Sequence, residues 1–341
     1  MKTLTQIEPR TDIATLSGDS QNSFIINQPG SYYLTGNVTG VASKHGISIQ
    51  ASNVTIDLNG FALIGPGGSV STNGIDVPNT VSVNSITVRN GAVIGWNNGI
   101  SSVSSAIYSL FERLRVSFNH AKGLDIGHGS LIRDCVAANN SGIGINADAG
   151  CTISHCIAYA NSGTALMANN GSTVSECSVY GNAGVGIGVG SDCTVTNSTI
   201  SNNFSGGISA SGDRCNINHC TAGGSGGGSG IIVLNHSIVT NCNADGNHVD
   251  GINFCGDCAI TGNLASTNTG SGFHATGSGN RIDGNQARQN AGTGIIANVN
   301  DVIVRNTAGN NGTDYTPNSG TNFGPIQSPN SSTNPMANVV F

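Results

Sequence analysis

Apolar and polar residues alternate along this chain in short bursts, and the bursts return at a nearly fixed interval. One unit reads Gly142-Ile143-Gly144-Ile145, a turn, Cys151-Thr152-Ile153-Ser154-His155-Cys156, then Ile157-Ala158-Tyr159-Ala160-Asn161-Ser162. Alternation over three to five residues is the period of a strand with one buried face, not of a helix. Units begin near Gly99, Gly123, Gly142, Gly163, Gly184, Gly206, Gly230, Gly251, Gly272 and Gly294, with two longer ones near Gly46 and Gly74. The steps between the later ten run from 19 to 24 residues. Nothing between the bursts is long enough for a crossover helix. Repetition at this length predicts a solenoid, because one loop of short strands cannot bury its own inward side chains.

Stacked loops place like positions in files ~4.8 Å apart. The files are visible in the sequence. Ile132, Ile153, Val174, Val195, Ile217, Val239, Ile260, Ile282 and Val304 form one apolar file. Ala137, Ala158, Val179, Ile200, Ala222, Ala244, Ala265, Ala287 and Ala308 form another. Asn140, Asn161, Asn182, Asn203, Asn247, Asn268, Asn290 and Asn311 recur just before the next glycine. Asn tolerates left-handed backbone, and its amide can bond the Asn above, so an amide ladder at a tight turn is expected.

Composition narrows the class. Of 341 residues, 9% are charged, 37% apolar, and 50 are Gly. This is too apolar and too weakly charged for a disordered chain. A net charge of −6 leaves no large basic surface for nucleic-acid phosphates. No apolar run reaches the ~18 residues of a membrane span. The first twenty residues lack the apolar run of a secretory signal, so none is expected.

Nine of ten cysteines fall in two files of the repeat. Cys135, Cys156, Cys177, Cys220 and Cys242 share one, and Cys151, Cys193, Cys215 and Cys258 lie in a file five residues earlier. Ser198 fills a gap in the first file; Ser130, Ser172 and Ser237 fill gaps in the second. Alternation with Ser predicts small buried packing residues rather than a disulfide framework. Cys255 and Cys258 make a single C-x-x-C, which is a weak metal or redox signal without a partner pair. No metal and no cofactor is expected: carboxylate clusters are sparse, and the Gly-Gly-x-Gly-x-Asp repeat of calcium-binding rolls is absent.

The repeat, together with the opening Phe24-Ile25-Ile26-Asn27-Gln28-Pro29-Gly30-Ser31-Tyr32-Tyr33-Leu34 and Val54-Thr55-Ile56-Asp57-Leu58-Asn59-Gly60, resembles the right-handed parallel β-helix proteins of the pectate-lyase-like type. The resemblance covers roughly residues 20–311. It implies an all-β, single-stranded, right-handed parallel β-helix of about twelve coils. Residues 1–45 would form an N-terminal cap with the first strands, 46–311 the helix, and 312–341 an irregular tail packed upon it. Family members include pectate and alginate lyases, mannuronan epimerases, polygalacturonases, adhesins and tailspikes. Such kinship implies an extracellular or cell-surface setting, a polysaccharide or glycan partner, and a fold that does not itself fix the chemistry.

No short catalytic signature appears, so any site would lie on outward polar files. The first file reads Asp134, His155, Glu176, Asn197, His219, Asn241. A His between two carboxylates is expected to have its charged form favoured. The carboxylates, two coils apart, would lie ~10 Å from each other, just beyond the range of inverting glycosidases, about 6.5–9.5 Å. Tyr159 and Tyr180, four residues further along, offer sugar-stacking faces. The second file reads Asp192, Arg214, His236, Asp257. Here Arg214 would neutralise a uronate and His236 would remove its C5 proton. The competing expectation for both files is a solvated polar ladder. A third patch gathers Asn119, His120, Lys122, Arg113, Arg115 and Asp125 at a long coil whose atypical stretch, 108–115, is expected to bulge or make a short helical turn. His248, Asp250 and His274 read as isolated turn residues. Two functions follow: a polysaccharide-binding or polysaccharide-processing β-helix (lyase, epimerase or hydrolase), or a non-catalytic surface or adhesion module.

Overall fold

The computed structural model describes residues 10–68, 71–102, 106–329 and 333–341. Two compact units divide the chain, 10–168 and 169–341. In both, each coil contributes one strand to a first parallel sheet and usually two to a second.

In the first unit the one-strand sheet has seven strands: Asn22–Ile26, His45–Ile49, Ile75–Asp76, Ile100–Ser101, Leu124–Ile126, Ile145–Ala147 and Leu166–Ala168. Their register sets Ile47 opposite Ile75, Ile100 opposite Leu124, and Leu124 opposite Ile145. All five side chains are fully buried. The two-strand sheet sets Phe111 opposite Ile132 and Ile132 opposite Ile153, with Val116, Ala137 and Ala158 as the second inward file. Each buried Ile or Phe contributes about 1.5–3 kcal/mol relative to exposure. Trp96 is fully buried in this core, its indole N–H donating to Leu63 O at 3.1 Å.

The second unit repeats the plan. Its one-strand sheet runs through Ile187–Val189, Ile208–Ala210, Ile231–Val233, Ile252–Phe254, Phe273–Ala275, Thr293–Ala297 and Thr313–Pro317. Ile217, Val239, Ile260, Ile282 and Ile303 stack in register on the other sheet, as do Ala222, Ala244, Ala265, Ala287 and Ala308. The last member of the first file is thus Ile303 rather than the expected Val304. Seven one-strand rungs per unit exceed the expected total of about twelve. Asn22–Ile26 and Thr313–Pro317, outside the repeat's clearest stretch, pair as rungs too. The atypical coil does not turn helical: Leu110–Ser117 runs as strand, bent at the left-handed Arg113 (φ 51°), with Leu110–Glu112 and Arg115–Ser117 pairing on either side of the bend.

Every regular coil turns at three corners, and the corner residue is left-handed. Asp134 (φ 55°), Asn139 (φ 54°) and Gly150 (φ 68°) mark three corner files. The residue after each corner points inward, and its amide takes an acceptor from the same file one coil on. Asn119 N donates to Asn140 Oδ1 at 3.1 Å, Ser130 N to Cys151 Sγ at 3.4 Å, and Cys242 N to Asn263 Oδ1 at 2.9 Å. The ladder Asn is therefore not itself the left-handed residue; the one before it is. The cysteines are buried, as expected, apart from the half-buried Cys255. Burial is not their only role. Cys151 Sγ also donates to Gly127 O at 3.3 Å, so Cys, Ser and Asn alternate because each supplies an acceptor where the strand ladder is interrupted.

Candidate functional site

The first predicted file is the corner between the paired strands of the two-strand sheet. Asp134 and His155 are left-handed, exposed and on adjacent coils of the first unit. Glu176, His219 and Asn241 occupy the corresponding corner in the second unit, with φ of 54°, 51° and 53°. Corner geometry turns these side chains outward whatever their chemistry, and Gly262, Gly284 and Arg305 continue the file. His219 Nδ1 lies 2.6 Å from Asn218 Oδ1.

The second file is another left-handed corner: Asp192, Arg214, His236 and Asp257 have φ between 55° and 60°. Arg214 meets Asp192 in a bidentate pair, Nε to Oδ1 at 2.6 Å and a terminal nitrogen to Oδ2 at 2.8 Å. Hydrogen bonding from Arg214, against slight desolvation, holds the Asp192 carboxyl below the usual range. His236 Nε2 approaches Asp257 Oδ2 only to 3.7 Å. In this arrangement the Arg214 cation is already neutralised.

The third patch is dispersed. Asn119 is buried in the amide ladder. Arg113 pairs with Glu112, which also binds Arg133. Lys122 Nζ meets Asp125 Oδ1 at 2.8 Å on the one-strand sheet, where Asn146 donates to the same oxygen at 2.7 Å. His274 is not a turn residue: it stands on the strand Phe273–Ala275, and its Nδ1 lies 2.9 Å from Asp250 Oδ2. That hydrogen bond, opposed by burial, raises the His274 pKa. Burial opposes ionisation of Asp250, but His274, the Ser271 N–H and Asn253 outweigh it and keep the carboxyl below its ordinary value.

Arg115 is different. Among the described residues, Arg115 and Arg288 are the arginines that make no ion pair or side-chain hydrogen bond. Arg115 lines a cleft of about 250 Å³ with Ser117, Phe118, Val136, Ala138, Asn139 and Tyr159. The cleft follows from register. Arg115 stands opposite Val136, Ser117 opposite Ala138, and Ala138 opposite Tyr159. Ala138 is short and buried, so it forms a floor between bulkier neighbours. Phe118, 61% exposed, stands at a corner where the next coils have Asn139 and Ala160. A cation, two aromatic rings and an exposed amide thus converge on one hollow. Of these residues the sequence points to Arg115, in the dispersed patch, and to Tyr159, as a stacking face. The signal it missed is Phe118, an aromatic at a corner otherwise held by small or polar residues.

A family model described as "Right handed beta helix region" matches residues 98–238 and 183–311, more than half of the chain. The chain belongs to the right-handed β-helix family. No curated protein matches this β-helix in sequence. Among solved structures it is similar to the A-module of the mannuronan C-5 epimerase AlgE6 of Azotobacter vinelandii, with 15% identity and a TM-score of 0.59 over 96% of this chain and 97% of that one. The AlgE4 A-module of the same organism gives 14% identity and a TM-score of 0.43 over 92% and 86%. The periplasmic alginate epimerase AlgG gives 13% identity and a TM-score of 0.41 over 99% and 81%. The AlgE6 likeness establishes a shared fold.

Proposed function

We propose that this β-helix binds an acidic polysaccharide, with a uronate carboxylate on Arg115 and the sugar's apolar face against Phe118 and Tyr159. The observation that carries the reading is the unpaired guanidinium in an aromatic-walled cleft on a chain of net charge −6. A planar guanidinium offers a carboxylate two parallel N–H donors, and an aromatic ring offers the apolar side of a pyranose a flat partner. The structural likeness to the AlgE6 mannuronan epimerase module is consistent with this choice of polymer. An extracellular or cell-surface setting, where such polymers occur, belongs to the same proposal.

The test is affinity electrophoresis through alginate, pectate, glucuronan and a neutral glucan. The acidic gels are expected to retard the protein, the neutral gel not, and Arg115→Ala to weaken retention at least tenfold. Equal retention in neutral glucan, or an unchanged Arg115→Ala variant, overturns the reading. A second reading, a non-catalytic surface module, is favoured by the Asp192–Arg214 pair, which closes a predicted catalytic file upon itself. Ultraviolet-absorbing unsaturated products, epimerised residues or new reducing ends would decide against that second reading.

A further inference from the structure

We propose that the second unit carries its own acidic-sugar subsite, built from Arg288, Gly309, Asn310 and Phe341; the choice of ligand rests on the reading of the Arg115 cleft. These four residues line a hollow of about 240 Å³. Its parts repeat those of the first cleft. Arg288 is exposed and, among the described residues, makes no ion pair or side-chain hydrogen bond. Phe341 is 62% exposed, as Phe118 is in the first unit. Asn310 is a left-handed corner residue, φ 57°, matching Asn139 at φ 54°.

The floor is again a small residue. Gly309 stands opposite Arg288 in the strand register. A Cβ at Gly309 would come within 3.1 Å of Phe341 Cβ, so a larger residue there would press Phe341 outward by a few tenths of an ångström. The ring is held in place by the backbone. Phe341 N donates to Ala308 O at 3.2 Å, and the preceding strand Asn338–Val340 pairs with Thr307–Gly309. Among the described residues, Arg115 and Arg288 make no ion pair or side-chain hydrogen bond, and each lines a hollow beside an exposed phenylalanine. Since an unpaired guanidinium stays charged and donates five N–H groups, it is the side chain suited to fix a carboxylate. The hollow takes one uronate residue, its carboxylate on Arg288 and an apolar ring face on Phe341.

Calorimetric titration with trigalacturonate and trimannuronate, using the full chain, tests this. Two binding events per chain are expected. Arg288→Ala and Phe341→Ala should each weaken one of them at least tenfold and leave the other, while Arg115→Ala should do the reverse. A single event, lost with Arg115→Ala and indifferent to Arg288→Ala, overturns this inference and leaves the first cleft standing. A single event lost only with Arg288→Ala overturns the Arg115 reading and supports this one. No binding by the wild-type chain overturns both. Unchanged circular dichroism and melting of each variant confirm that the readout is binding.

Discussion

At the residue scale, the corner positions explain why the predicted columns held such unlike side chains. Asp134, His155, Glu176, Asn197 and Arg305 share a left-handed backbone. A left-handed corner costs an L-residue roughly 1–2 kcal/mol, more when the side chain is β-branched. His155→Gly is therefore expected to leave stability within about 1 kcal/mol of wild type, and His155→Val to lower it by about 1–2 kcal/mol, as read by urea denaturation. A large loss in the Gly variant would mean that the imidazole itself holds the coil. The inward neighbours behave oppositely. Cys151 accepts from Ser130 N and donates to Gly127 O, so Cys151→Ser should change stability by less than about 1 kcal/mol, whereas Cys151→Val, which strands both groups, should cost about 1–3 kcal/mol. The sequence spacing revealed that Cys and Ser share a file. It did not reveal the acceptor role, because that depends on where the corner amide points.

At the element scale, the coils hold together through buried side-chain ladders as much as through strand pairing. Asn140 accepts from the Asn119 backbone and side chain and donates to Asn161 Oδ1 and Val116 O. Asn140→Ala removes all four bonds inside the core and is expected to lower stability by about 3 kcal/mol in urea. The strand Phe273–Ala275 adds a pH dependence. His274 has its pKa raised by the bond to Asp250, so its contribution is complete below about pH 6.5 and fades as pH rises through the folded-state value. Asp250, depressed, stays ionised through that window. The His274→Gln penalty, below about 1 kcal/mol for a ring still about one third exposed, should be larger near pH 5.5 than near pH 9; the reverse order would contradict the pairing. By spacing alone His274 and Asp250 read as unrelated turn residues, because the 24 residues between them span a full coil with three corners, at Asp257, Gly262 and Thr267. The same limit hid the strand Leu110–Ser117. Its charges looked like an irregular coil, although Glu112 is buried between Arg113 and Arg133.

At the scale of the whole molecule, the repeat made the fold legible and left the site largely hidden. Inward files are set by period alone, so the apolar columns could be read from Ile132 and Ala137 onward. Outward chemistry depends on which charges find partners, and only coordinates show that Arg214 is held by Asp192 while Arg115 is not. Charge balance carries a consequence for binding. An acidic polymer approaching a chain of net charge −6 meets repulsion everywhere except near an unneutralised cation. Retention by alginate or pectate should therefore weaken with salt at Arg115, and Arg115→Lys should keep part of it while Arg115→Ala keeps little. The most direct measurement is a crystal structure of the chain soaked with a uronate trisaccharide. The account predicts a carboxylate against the Arg115 guanidinium with a sugar ring beside Phe118. A saccharide lying instead along the Asp134 and His155 corner, with Arg115 bare, would contradict it.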